Sequence, residues 1–459
     1  DFKTEYRLAK TVTLEGDRCS VIIKPAVFSD GSTLTPEDVV FSYKKAIASK
    51  TSYKYALEDV KSVKITGSDS LVFELSKKDP FFVSVLDFPI LKKGSDQLKN
   101  SDNKPLPPIG TGRYILADDL LSLNCNKNYF AGTVGLPKIG LVDSPDDESN
   151  YQNAEAGIID YYYSDLSSTL YPKMKGKTVS VNLSNIVFLG VNKKNRYLSK
   201  DLFLQSVSSV IDRTDICVSS YYGNATPALS PYPSCFEPAK DYQNLQASPN
   251  IESAKQNFTK MGYTKKGADG YYLNGDRTVS VTLAVNQENS VRVAAAEKIA
   301  ASLSAFGIKC TLIKEPYATY NARIQSGNYD LYLGEIRLLN NMDITKLLGM
   351  VKQPTSSTAT TSSNQKNVTS KTAASKTSNT SSVSSKEQKT DNALTCNQAI
   401  TKFYKGEITL GDLVTVCNSE LPVIPICHRK GLVSYSENVN ANLAPSASDL
   451  FYGFENIRN

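Results

Sequence analysis

The sequence predicts an α/β fold, and three observations carry that expectation. Residues 251–333 alternate between helical and strand periodicity, the rhythm of a sheet covered by helices. The stretch Phe28–Tyr43, FSDGSTLTPEDVVFSY, joins a turn to a capped amphipathic helix. The chain has 459 residues, 40% apolar and 21% charged, which is ample for more than one core.

The elements follow in order. Residues 10–25 read as a hairpin turning at Glu15-Gly16-Asp17. In Phe28–Tyr43, Gly31 supplies a positive φ, Thr35 the N-cap and Pro36 the first helical residue. Val39, Val40, Tyr43 and Ala46 form its apolar stripe. Lys61–Leu75 reads as two strands, and Asp79-Pro80-Phe81-Phe82 opens a short apolar helix. Pro108–Tyr114, PIGTGRY, reads as a loop needing close backbone approach at its glycines. It lacks the Lys-Ser/Thr of a phosphate-binding loop and precedes a strand, so phosphate is not its ligand.

Further on, a helix is expected near Ser149–Ala156 and a strand at Tyr161–Ser164. Asn185–Asn192 reads as another strand, followed by a helix carrying Leu204, Val207, Val210 and Ile211. Ile251–Met261 is amphipathic, and Tyr271–Leu273 and Val279–Val285 read as strands. Ser290–Phe306 is the clearest helix, ended by Gly307. A strand at Ile308–Ile313, a helix at Tyr317–Ile324 and a strand at Tyr329–Leu333 complete the rhythm. From Thr355 to Ser385 the chain is rich in Ser, Thr and Lys, cannot bury a core and is expected to be a disordered surface insertion. Helices at Asn392–Tyr404 and Leu410–Cys417 and a strand at Glu420–Ile426 come after it.

Composition excludes several functions. No run of eighteen apolar residues exists, so no membrane span is expected. The net charge of +6 is mild and no basic cluster alternates with aromatics, which argues against nucleic acid as a partner. His428 is the only histidine and no Cys-x-x-Cys occurs among the eight cysteines, so neither a metal nor another cofactor is expected. Short loops suggest Cys217–Cys235 and Cys396–Cys417 as disulfides. There is no G-x-S-x-G and no H-E-x-x-H. Cys427 and His428 are adjacent on a strand and face opposite ways, so they form no dyad. Asp146-Asp147 lies in a polar, solvated loop. The chain reads as a non-enzyme.

Several stretches, in order, resemble one family. These are DGSTLTPEDVVFSY from Asp30, PIGTGRY from Pro108, LSLNCNKNYF from Leu121 with Gly132 and Leu136–Ile139, Gly157-Ile158-Ile159-Asp160, Asn185–Asn192, and Leu421–Ile426. Together they resemble the extracytoplasmic solute-binding proteins of peptide, oligopeptide and nickel ABC transporters. Departures include Arg113 for the usual proline, Phe130 for Trp, and Phe203-Leu204-Gln205-Ser206, which keeps Gln but lacks the family's Arg.

The resemblance implies a type II periplasmic-binding-protein-like fold, with two lobes, a hinge and an extra subdomain. It implies an extra subdomain at 1–111, a proximal lobe at 112–192 and a distal lobe at 193–428 carrying the insertion 353–392. Residues 429–459, with strands at Leu450–Tyr452 and Phe454–Ile457, would return to the proximal lobe. Relatives carry several dozen residues ahead of Thr4, so the first lobe is expected to lack its front. The implied function is a monomeric, extracellular, lipid-anchored receptor that holds a peptide or other small polar ligand and delivers it to a membrane ABC permease. A surface sensory or adhesive module on the same fold is the alternative.

Tyr163 and Ser164 end a strand that faces the cleft in this family. Asn185, Tyr317, Asn340 and Asp343 are further candidate ligand contacts. Dipeptide-binding members have W-x-G-D where this chain has Glu335-Ile336-Arg337-Leu338. Glu335 would then hold an ammonium and Arg337 a carboxylate, or the two would pair across loops.

Overall fold

The computed structural model describes residues 2–167, 175–242, 249–349 and 394–457. The 353–392 insertion expected from composition lies outside the described residues.

The first unit is built on strands β1 (Ala9–Glu15), β2 (Arg18–Ile23), β3 (Val60–Ile65) and β4 (Ser70–Leu75), ordered β1-β2-β4-β3 and all antiparallel. Helix Pro36–Ala48 packs on this sheet. Its start is fixed as the sequence predicts. The Asp38 carboxylate accepts from the Thr35 N–H at 2.9 Å and the Thr35 hydroxyl at 2.8 Å, and Gly31 turns at φ +83°. Tyr43, Phe73, Phe82 and Phe88 fill the core of this unit. The expected helix after Asp79 is a single 3-10 turn, Phe82–Val85.

A small sheet follows, β5 (Tyr114–Leu116), β6 (Ser122–Cys125) and β7 (Lys138–Gly140). The connection into it corrects one expectation. Gly110 and Gly112 have no left-handed φ, and a Cβ on either would meet only ordinary contacts. What fixes PIGTGRY is Arg113, which lies 2.7 Å from Asp449 and 3.0 Å from Glu455 near the C-terminus.

The rest of the chain is organised around one seven-stranded sheet. Its strands are β8 (Tyr161–Ser164), β9 (Gly176–Val191), β10 (Ala225–Pro227), β13 (Ser280–Asn286), β14 (Lys309–Glu315), β15 (Leu331–Arg337) and β16 (Val423–Ser436). A separate hairpin, β11 (Leu273–Asn274) and β12 (Arg277–Thr278), precedes β13. The path is β10-β16-β9-β15-β13-β14, with β8 beside β16.

Strands β9 and β16 are unusually long and serve different cores along their length. Val181 and Leu183 of β9, with Val433 and Tyr435 of β16, belong to a cluster completed by Leu443, Phe454 and Ile457. Val187, Leu189 and Val191 of β9, with Ile424, Ile426 and Cys427 of β16, belong to a second, under helices Asp201–Val210, Ile251–Lys260 and Ser290–Phe306. Ile186 and Phe188 face a third, under Cys396–Lys405 and Leu410–Glu420. The β9–β16 register shifts within the second cluster, at Pro425/Cys427, and between it and the first, at His428/Lys430.

Two glycines make the β9–β15 seam possible. Tyr332 lies opposite Gly190 and Phe188 opposite Gly334. A Cβ on Gly190 would fall 2.0 Å from the Tyr332 ring, and one on Gly334 2.8 Å from it. The missing side chains give each ring its place across the neighbouring strand.

Cys396 and Cys417 form the expected disulfide, joining the two helices of the third cluster. The Cys217–Cys235 pair does not form. Cys217 points into the core and meets the Cys427 thiol, while Cys235 lies in a half-exposed turn. The C-terminal strands are also corrected. Residues 450–457 form a turn and the 3-10 helix Phe454–Asn456, because Gly453 turns at φ +97° and the Phe451 and Phe454 rings pack on Tyr161.

Candidate functional site

Strands β13, β14 and β15 run parallel, and their C-terminal ends, at Asn286, Glu315 and Arg337, share one edge of the sheet. In open α/β sheets this edge is where ligands bind. The end of β8 meets it from the other part of the sheet. The Asn289 side-chain amide, which also caps helix Ser290–Phe306, donates to the Ser167 carbonyl at 3.3 Å.

The floor of this junction is a buried ionic cluster. Glu335 pairs with Arg429, Nη1 to Oε1 at 2.6 Å, and their side chains are 8% and 5% exposed. Asn185 donates to the same carboxylate at 2.7 Å, and Arg292 Nε lies 3.5 Å from its other oxygen. Arg429 also donates to the Asp165 carbonyl beyond β8. Burial opposes the Arg429 charge, but Glu335 outweighs it and raises the guanidinium pKa. Tyr221 lies against the cluster, its hydroxyl buried without a hydrogen-bond partner among the described residues. Burial pushes that phenol far up, with Cys427 and Glu335 adding to it.

Arg337 is two residues further along β15 and opposite Asn185. It is exposed and makes no hydrogen bond or ion pair with any described residue. It is close enough to Tyr163, Asp87 and Tyr53 to act on their titration. Tyr163 is half-buried; burial and Asp165 push its phenol up, and Arg337 and Arg429 draw it down.

The sequence candidates therefore separate into groups. Tyr163, Asn185, Glu335 and Arg337 converge at the junction. Ser164 sits beside them, its hydroxyl accepting from the Leu166 N–H at 3.0 Å. Tyr317 is 56% exposed at the start of its helix, its N–H bonded to Glu288 at 3.2 Å on the same sheet edge. Asn340 and Asp343 lie beyond the strand and clasp the first unit. Asn340 donates to Asp87 at 2.7 Å. Asp343 lies 3.3 Å from Lys77 and accepts from the Thr345 N–H at 2.8 Å. Burial would raise the Asp343 pKa, but Thr345 and Lys77 hold it below the ordinary carboxylate range.

The alternative of a Glu335–Arg337 pair is not realised, because both Glu335 oxygens already face other cations. Arg429, Arg292, Asp87 and Asp165 are members that sequence reasoning missed. The one available signal was a charged doublet, Arg429-Lys430, inside a mostly buried strand with no other Arg, Lys, Asp or Glu. His428 is unsuited to catalysis. Burial drops its pKa to about 4, and its Nε2 lies 3.3 Å from the Ser230 carbonyl, away from Cys427. Among the described residues no cluster of His, Cys, Asp and Glu could hold a metal ion, and no helix is long and apolar enough to cross a membrane.

Comparison with known proteins decides the family. The profile of the bacterial extracellular solute-binding proteins, family 5 Middle, matches residues 4–355. The chain belongs to that family. It is 27% identical over 327 residues to the oligopeptide-binding protein AppA of Bacillus subtilis, a match spanning 67% of this chain and 59% of AppA. The chain thus spans less than two thirds of that curated relative.

Among solved structures, an ABC transporter substrate-binding protein from Sinorhizobium meliloti is 16% identical at a TM-score of 0.73, covering 99% of this chain and 90% of that one. NikA from Brucella suis, solved with Fe(III)-EDTA, is 15% identical at 0.70, covering 98% and 90%. AppA from Bacillus subtilis, solved with a nonapeptide, is 20% identical at 0.57, covering 98% and 89%. The fold is that of the type II periplasmic binding proteins. Family 5 proteins bind solutes outside the cytoplasm and are not enzymes.

Proposed function

We propose that this protein is the extracytoplasmic substrate-binding receptor of an ABC importer, holding a peptide-like ligand between two lobes and delivering it to the permease. One observation carries the reading. Strands β9 and β16 run unbroken from one hydrophobic core into others, and their register shifts lie beside the junction where β8 meets the C-terminal ends of β13–β15. Two continuous strands with a local irregularity make a hinge that can bend without losing register elsewhere.

In this reading residues 1–111 are the extra subdomain, 112–192 and 429–459 the proximal lobe, and 193–428 the distal lobe. Tyr163, Ser164, Tyr317 and Arg337 face the ligand. Asn185 and Glu335 frame the floor, and Asn340 and Asp343 hold the first unit against the distal lobe. An extended peptide would gain main-chain hydrogen bonds at strand ends and aromatic burial against tyrosine. The receptor acts as a monomer, anchored by lipid at the cell surface.

Native mass spectrometry of the protein as purified, followed by calorimetry against peptide pools, sugars and nickel chelates, tests this. A retained peptide, or heat from a peptide pool alone, supports the reading. Heat from a sugar with none from peptides would overturn it.

A further inference from the structure

We infer that the site selects its ligand by a carboxylate, with Arg337 as the anion-recognising residue, and that Glu335 is not available to an ammonium group. The inference rests on the receptor reading above and names the charge its ligand must present.

Glu335 and Arg337 lie on the same face of β15 and have opposite surroundings. The Glu335 carboxylate is buried and taken: Asn185 at 2.7 Å and Arg429 at 2.6 Å on one oxygen, Arg292 at 3.5 Å on the other. A ligand ammonium could reach it only by displacing a buried guanidinium, which would strand Arg429 without its counter-charge.

Arg337 is the reverse case. It ends the strand, is exposed, and has all five N–H groups unspent on any described residue. Asp87 lies close enough to feel its charge but outside ion-pair distance, with one oxygen already bound to Asn340. Tyr163 is half-buried and near enough for the Arg337 charge to act on its phenol. In the cluster beside it, Arg292 and Arg429 outnumber Glu335 by one charge, and Asp165, whose field reaches Arg429, offsets that excess, so the unspent positive charge is that of Arg337 itself. A planar anion offered here gains a charge-assisted, bidentate partner that is already in place.

The test uses the whole protein and four pentapeptide pools, compared by competition binding. The pools have free termini, an acetylated N-terminus, an amidated C-terminus without Asp or Glu, and an amidated C-terminus with Glu. We expect the free and acetylated pools to bind alike, and the amidated neutral pool to bind about 10- to 100-fold more weakly. Arg337→Gln should erase that preference with its melting temperature unchanged, and Arg337→Lys should restore part of it. Recovery with the Glu-containing pool assigns the carboxylate to a side chain; no recovery assigns it to the C-terminus. Equal binding of the amidated neutral pool, or loss on acetylation alone, would overturn the inference and leave the receptor reading standing. If no pool binds, both fall.

Discussion

Two regions join separate parts of this molecule through charged side chains, and they do so in different media. At the strand crossing, Glu335 and Arg429 are 8% and 5% exposed and enclosed by Asn185 and Arg292. At the clasp, Lys77 is 34% exposed and shared between Asp343 at 3.3 Å and Asp59 at 3.0 Å, with Asn341–Asp79 and Asn340–Asp87 bonds beside it. In the crossing, water cannot replace a lost partner. At Lys77 in the clasp it can, although the Asn341–Asp79 bond beside it is buried, and the apolar insertion of Phe81 between Phe236 and Phe403 carries more of the contact than the Lys77 charge does.

The largest effect should come from breaking the crossing. Arg429→Met leaves the buried Glu335 with only Asn185 and the more distant Arg292, and we expect a loss of about 3 kcal/mol in urea unfolding. Adding Glu335→Leu should recover most of it, because the charge then left without its counter-ion, Arg292, is 24% exposed and can be hydrated; no recovery would mean that the pair orders the strands themselves.

His428 sits in the same crossing, opposite Ile186. Its burial holds the folded imidazole at about 4 against an ordinary 6.5, so the unfolded chain takes the proton more readily. Stability is full above pH 6.5 and falls as the pH drops toward 4, by about 3 kcal/mol. His428→Phe should flatten that part of a urea-midpoint profile against pH. An unchanged slope would place the acid sensitivity elsewhere.

In the clasp, Phe81→Ala should cost about 2 kcal/mol, read as a lower midpoint of thermal unfolding. Lys77→Met should cost about 1 kcal/mol or less and, unlike Arg429→Met, should shrink further in 1 M salt. A salt-independent loss at Lys77 would erase the distinction between the two regions.

What could be read from the sequence was mostly local. Thr35, Pro36 and Gly31 set the first helix, and Gly307 ends helix Ser290–Phe306 at φ +117°. Cys396 and Cys417 pair because a short loop brings them together on neighbouring helices. The same argument failed for Cys217 and Cys235, since loop length says nothing about which way a thiol points. Tyr163, Asn185, Glu335 and Arg337 were found as candidates through the family motifs. Their division into a sealed pair and a free cation was not legible: Arg429 is 94 residues from Glu335.

The sequence by itself therefore determined most of the helices and long strands, their order, the family and the helix-pair disulfide, because caps, periodicity and short-loop closure act within a few residues. Only the tertiary structure decided the charge of the site. Strand register sets Asn185 opposite Arg337, and the bulge in β16 precedes Arg429 where it reaches Glu335. A carboxylate's role depends on which cations the fold delivers to it, and these arrive from strands distant in the chain.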